Sequence, residues 1–223
     1  TNVKVETISK ILTSVGLYDA ESGMTNDQIL KAYSDNIKEA VLVNAEGNVV
    51  GKMQTEAKNI ELKGNSDLKL QSTLIKKASE GDAAAKAEIA LPVYIFNIDG
   101  QDVPVVPCYG AGLWGPIWGY LAFEGDMNTI EGAVFDHKGE TPGLGAEIAT
   151  NWFRNNFTGK KIYNAEGEFT SVKVVKGGAA EDDINGVDAI SGGTITSQAL
   201  EKAIKSWLEA YVPYFETLKA VEE

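Results

Sequence analysis

Hydroxyls crowd one short stretch near the end of the chain, Asp188-Ala189-Ile190-Ser191-Gly192-Gly193-Thr194-Ile195-Thr196-Ser197. Gly192 and Gly193 give the backbone a freedom that suits a turn. Beyond the turn, Leu200, Ala203, Ile204, Trp207, Leu208 and Tyr211 recur at helical spacing, with one face apolar. A helix start carries unpaired N–H groups and a partial positive charge, which suits a phosphate. On local chemistry alone, a Ser or Thr capping an early amide is the simpler reading. Two further stretches are dense in special backbone residues. One is Gly112-Leu113-Trp114-Gly115; the other is Glu140-Thr141-Pro142-Gly143-Leu144-Gly145, just after the lone His137. Formally Gly110-Ala111-Gly112-Leu113-Trp114-Gly115 satisfies Gly-x-Gly-x-x-Gly, but a dinucleotide fold needs a helix next. Pro116, Gly119 and the strand-like Tyr120–Phe123 deny it that helix.

Composition removes many alternatives. The chain has 223 residues, a net charge of −12 and 43% hydrophobic residues, enough for one large domain or two small lobes. The acidity disfavours nucleic acid, whose phosphates would be repelled, and likewise an anionic lipid surface. With only Cys108 and only His137, there is no internal disulfide, no Cys–Cys zinc site and no multi-histidine metal site. No nucleophile elbow accompanies His137, and no catalytic residue or metal ligand is assigned. Nothing is apolar for long enough to span a membrane. The chain opens on Thr1 and enters a helical pattern almost at once, as expected of a trimmed or mature form.

The elements that must position these stretches follow in order. Residues 6–16 predict a helix with Ile8, Ile11, Leu12 and Val15 on one face and Gly16 at its stop. Thr25 and Gln28 predict a capping box opening a second helix. Ala40–Val43 and Val49–Val50 predict a hairpin about Ala45-Glu46-Gly47-Asn48. Ser72–Ala87 reads as helical, broken near Gly81-Asp82, in a solvated region without function. Leu91–Ile98 predicts a strand, and Val103–Val106 its antiparallel return, placed at a sheet edge by Pro104 and Pro107. Tyr120–Phe123, Thr129–Phe135 and Ser171–Val175 read as further strands. A helix after Gly145 carries Ile148, Trp152 and Phe153 on its apolar side. Strands and helices do not alternate strictly, so the fold class is α+β, with antiparallel sheet packed against helices. The expected organisation is an N-terminal helical segment, 1–45, leading into one continuous domain, 46–223.

The wider pattern Asp188-x-x-Ser191-Gly192-Gly193-Thr194 resembles the flavinylation motif of bacterial FMN-carrying subunits, usually Asp-x-x-Ser/Thr-Gly-Ala-Thr, with Gly193 here where Ala is usual. Together with Gly112–Gly115 and Glu140–Gly145, in this order, it makes the chain similar to the soluble part of the C subunit of Na⁺-translocating NADH:quinone reductases. The related G subunit of ferredoxin-coupled complexes shares the last two stretches but typically lacks Gly-Leu-Trp, and a surface module that lost its flavin is the remaining alternative. The resemblance implies FMN joined through phosphate to Thr194 by a separate flavin transferase, with Asp188 required by that enzyme. It implies electrons relayed between the members of a complex of six subunits. It also implies a domain on the periplasmic side of the bacterial inner membrane, held by an N-terminal helix absent from this sequence. The amides after Gly192 and Gly193 would offset the phosphate charge, with Ser191 or Thr196 adding a hydrogen bond. A flat ring system needs apolar faces and a few placed polar groups. Leu113, Trp114, Pro142 and Leu144 are the apolar candidates, and Glu140 and Thr141 the polar ones, with the amides of Gly143 and Gly145. His137 is expected to be a hydrogen-bonded loop residue, and Lys160 a helix-end lysine within possible reach of the phosphate.

Overall fold

A computed structural model describes residues 2–221. Helix α1 (Asn2–Ser14) starts earlier than its apolar stripe alone required and buries Ile8, Ile11 and Leu12. Helix α2 (Asn26–Asn36) opens on the expected capping box: Thr25 accepts from the Gln28 amide, and the Gln28 side chain accepts from the Thr25 amide. Strands β1 (Ile37–Val43) and β2 (Val49–Met53) form the expected hairpin. Helices α3 (Asn65–Ser79) and α4 (Ala83–Ala87) are separated near Gly81-Asp82, and Asp82 caps α4 through the Ala85 amide. An antiparallel run follows, of β3 (Leu91–Ile98), β4 (Gln101–Ala111), β5 (Pro116–Phe123) and β6 (Ile130–His137). A 3₁₀ turn (Gly145–Ala149) and the short helix α5 (Asn151–Arg154) precede a small parallel pair, β7 (Lys173–Val175) with β8 (Gly186–Asp188). Helix α6 (Thr194–Val221) ends the described chain.

The main sheet has six strands in the order β2-β1-β3-β4-β5-β6. Alternation along its strands explains why it has two cores, since neighbouring residues point to opposite faces. On β4, Val106 and Cys108 face the core covered by α3, α5 and α6, while Val103 and Val105 face the core covered by α1 and α2. The apolar stripe predicted for α6 is the one it buries: Leu200, Ile204, Trp207, Leu208 and Tyr211 are all at most 1% exposed.

Three sequence expectations need correction. Strand β4 is interior and not an edge. Its register explains how two prolines are tolerated: the β3 ladder runs only as far as Val105 and the β5 ladder starts there. Pro104 therefore pairs on the β3 side alone and Pro107 on the β5 side alone, so neither needs a donor on both sides. Trp152 does not join the apolar side of its helix; it is 51% exposed, with its indole N–H donating to Glu147. Strand β8 was missed, because three residues after an acidic turn carry no readable period.

Gly47, at the tip of the first hairpin, meets α6 at Pro213, a proline inside the helix. It has φ +86°, and a Cβ there would lie 2.5 Å from the Pro213 carbonyl carbon and 2.6 Å from the Tyr214 nitrogen. Both the backbone angle and the space demand glycine. Gly47→Ala is expected to cost about 2–4 kcal/mol, as overpacking against rigid backbone adds to a strained φ. Urea denaturation of the purified variant checks this: the midpoint falls while the slope is kept.

Candidate functional site

The three glycine-rich stretches meet around one carboxylate. Glu140 follows β6 in the loop after His137 and is only 3% exposed. One of its oxygens, Oε1, accepts the Leu113 amide at 2.9 Å and the Thr196 hydroxyl at 2.6 Å; the other, Oε2, accepts the Trp114 amide at 2.7 Å. Its own amide donates to Nδ1 of His137 at 3.0 Å, which leaves that imidazole nitrogen as acceptor. Burial pushes the Glu140 carboxyl up, but the Thr196 hydroxyl, the Trp114 and Leu113 amides and the neighbouring His137 outweigh it. The group is held below the ordinary glutamate range as a buried anion satisfied by donors.

Glycines make this convergence possible. A Cβ at Gly112 would lie 2.6 Å from Oε1 of Glu140, and one at Gly145 would strike the Thr196 side chain. Leu144 lies across the final turn: a Cβ at Gly192 would be 2.8 Å from its Cδ2, and one at Gly193 would be 3.1 Å from its carbonyl oxygen and 2.9 Å from Cγ2 of Ile190. Gly193 therefore does more than omit a methyl. In this chain the Leu144 loop and Ile190 occupy the space that methyl would need.

The hydroxyls at the start of α6 separate into two kinds. Thr196 and Ser197 are buried and engaged, Thr196 with Glu140 and Ser197 as acceptor for the Ile190 amide at 3.1 Å. Ser191 is exposed and Thr194 half-buried, and neither side chain makes a hydrogen bond among the described residues. The first helical bond runs from the Ser197 amide to the Gly193 carbonyl at 2.9 Å. The cap position is thus Gly193, which has no side chain, and the expected hydroxyl cap is not what forms. Nothing among the described residues accepts from the amides of Thr194, Ile195 and Thr196, the orphan donors of a helix start.

The remaining candidates are placed as follows. Asp188 is exposed at the end of β8, and its Oδ1 accepts the Ala179 amide at 2.8 Å. Thr141, Pro142 and Gly143 are exposed on the loop, whose turn closes when the Thr141 carbonyl accepts the Leu144 and Ala146 amides. Leu113, Trp114 and Leu144 are 48%, 68% and 44% exposed, large apolar groups left in solvent beside the convergence. Lys160 is engaged elsewhere, donating to the Asp183 carbonyl. Ile195 was missed. It is 58% exposed in the first turn of α6, and its sequence signal is a large apolar residue off the buried stripe of its helix. No cluster of His, Cys, Asp or Glu among the described residues could hold a metal, and no described helix is long and apolar enough to cross a membrane.

Comparison with known proteins shows the family. The FMN-binding domain model matches residues 112–209, a span that begins at Gly112 and takes in all three stretches. The C subunit of the Na⁺-translocating NADH-quinone reductase of Neisseria meningitidis is 32% identical over 216 residues, covering 94% of this chain and 79% of that one. This chain belongs to the C-subunit family of Na⁺-translocating NADH-quinone reductases. The C subunit from Pseudomonas aeruginosa is also 32% identical, over 89% of this chain and 76% of its own. The solved C subunit of Parabacteroides distasonis, 38% identical, superposes with a TM-score of 0.71 over 95% of this chain and 92% of that one. The NqrC of Shewanella oneidensis, 28% identical, gives 0.74 over 98% and 99%. The fold of these C subunits is thus the α+β arrangement described above.

Proposed function

We propose that this C subunit bears FMN as a phosphoester on Thr194 and passes electrons between neighbouring redox subunits. The observation that carries this is the contrast within the final turn. Thr194 alone combines a hydroxyl unused by the protein with a half-exposed position in the first turn of a long helix. The residues fit the group. The unbonded amides of Thr194, Ile195 and Thr196 suit a phosphodiester's remaining negative charge. Leu113, Trp114, Pro142 and Leu144 offer exposed apolar surface to a flat ring system. Glu140 is better read as the group that positions the Trp114 loop and the start of α6 than as a ring contact, because all its hydrogen bonds are directed inward.

Attachment needs an external transferase, since an alcohol is not acidic enough to react unaided. The Thr194 oxygen attacks the FMN phosphorus of FAD, the bond to AMP breaks, and the hydroxyl proton leaves to a base of the transferase. Asp188 is the expected recognition residue for that enzyme. When bound, FMN would supply electron transfer, with the start of α6 holding its phosphate and Leu113, Trp114, Pro142 and Leu144 orienting its ring. The relatives' names support a place in an NADH-quinone reductase coupled to Na⁺ transport. We read that setting as a complex of six subunits in the bacterial inner membrane, with this domain on the periplasmic side and anchored by a preceding helix.

Coexpression with a flavin transferase followed by intact-mass measurement tests the reading. An adduct of FMN minus water is expected, with yellow colour that stays in the acid precipitate. No adduct, under conditions that modify an established acceptor, would refute it.

A further inference from the structure

Outside the Thr194 turn, an open groove of about 910 Å³ runs between α3, α4 and α6, over the end of β4. A smaller hollow of about 390 Å³ shares Ser72, Lys76 and Tyr109–Ala111 with it and reaches Gly115, next to the Trp114 loop. On the α6 wall the groove is lined by Ala199, Ala203, Ser206, Ala210 and Pro213. These positions step by four, three, four and three, the spacing of a helix–helix seam. The α3 wall presents Ser72, Ile75 and Ser79, again three and four apart. At the floor the two helices meet, the Trp207 indole donating to the Ser72 hydroxyl and the Tyr109 carbonyl and Ala203 resting against Gly110, and Pro213 meets the Gly47 turn at one end; above that floor the space between α3, α4 and α6 stays open. From Ala199 to Pro213 the wall is about 21 Å long at the usual helical rise.

Charge narrows what fills it. Lys69, Lys76, Lys86 and Lys202 line the two hollows against only Glu80 and Glu209, a local excess of cations on a chain of net charge −12. None of the four lysines has a carboxylate within 4.0 Å among the described residues. We infer that the groove seats an amphipathic α-helix of a partner protein, with bulky apolar residues at three-and-four spacing and acidic residues on its flanks. Large side chains of that helix fill the volume left over the floor of Ile75, Ile89 and Trp207, and its carboxylates meet the unpaired lysines.

The probe is a synthetic peptide of three heptads with Leu at both seam positions, Glu on the flanks and a fluorescein label, read by anisotropy against the whole chain. Saturable one-to-one binding is expected. The same peptide with Lys flanks should bind at least about tenfold more weakly. Ser206→Trp, which fills the groove from an exposed position, and the double reversal Lys76→Glu/Lys202→Glu should each weaken binding about tenfold or more. Circular dichroism and melting of these exposed substitutions should match the parent, and flavin attachment should be unchanged, so the outcome is separate from that of the flavin reading. No saturable binding would overturn the proposal, as would equal binding of the two peptides or indifference to Ser206→Trp. Sedimentation showing that the chain dimerises through this face would overturn it in favour of a second copy. Displacement of the peptide by phosphatidylglycerol vesicles would overturn it in favour of a lipid surface.

Discussion

Thr194→Val, coexpressed with a flavin transferase, is expected to emerge folded, colourless and at the mass of the bare polypeptide. Valine keeps the shape of threonine and removes only the oxygen. That oxygen bonds to no other described residue, so its loss orphans no buried partner, and stability should stay within about 0.5 kcal/mol of the parent. Two neighbouring substitutions sharpen the test. Thr194→Ser keeps an alcohol at the same place and should retain some adduct. Thr196→Val removes a buried hydroxyl from the Glu140 carboxylate; it should keep the adduct and cost about 1.5–3 kcal/mol for the lost hydrogen bond to a charged group. Survival of the adduct in Thr194→Val, or its disappearance only in Thr196→Val, would move the attachment point and dismantle the reading.

The larger effect on the protein itself is expected at Glu140. Glu140→Ala leaves the buried Thr196 hydroxyl and the partly buried Leu113 and Trp114 amides without an acceptor. At about 1–3 kcal/mol for each unsatisfied group, partly relieved by entering water, a loss of about 3 kcal/mol is expected. Glu140→Gln keeps one oxygen but turns an NH₂ toward a donor, so an intermediate loss of about 1–2 kcal/mol is expected. Chemical denaturation measures both, and near-ultraviolet circular dichroism reports whether Trp114 loses its fixed setting. The same residue sets a pH dependence. Its folded pKa lies below the ordinary value, so the unfolded chain binds the proton more tightly. The stabilisation is then complete above about pH 4.3, the ordinary glutamate value, and fades as pH falls through the lower folded value. Glu140→Gln should flatten that part of the acid limb. An unchanged acid limb would mean that the carboxylate does not hold the loop in solution.

The legible parts of this protein are those with strong local signals. Thr25 and Gln28 announce α2 because a capping box needs only adjacent residues, and Leu91–Ile98 announces β3 because a continuous apolar run fits no surface element. The three stretches around the site were legible as special backbone, since glycines and Pro142 are conspicuous. What they do to one another was not. That Glu140 turns inward depends on the approach of Gly112, Gly145 and Thr196, all distant from it in the chain or brought near only by folding. The interior place of β4 was hidden for a related reason: its prolines are permitted by where two separate ladders begin and end. Ser191, Thr194, Thr196 and Ser197 look alike in sequence, and only burial separates the used hydroxyls from the free ones.

Helix α6 is fixed along its length by Leu200, Ile204, Trp207, Leu208, Tyr211 and Phe215, each at most 1% exposed. A dye fastened to its first residue would therefore hang from a rigid post and not from a swinging loop. It could pivot through the few bonds of its own tether, but it could not travel. Donor and acceptor would then both have to come within electron-transfer distance of that pivot, or the whole domain would have to shuttle between them.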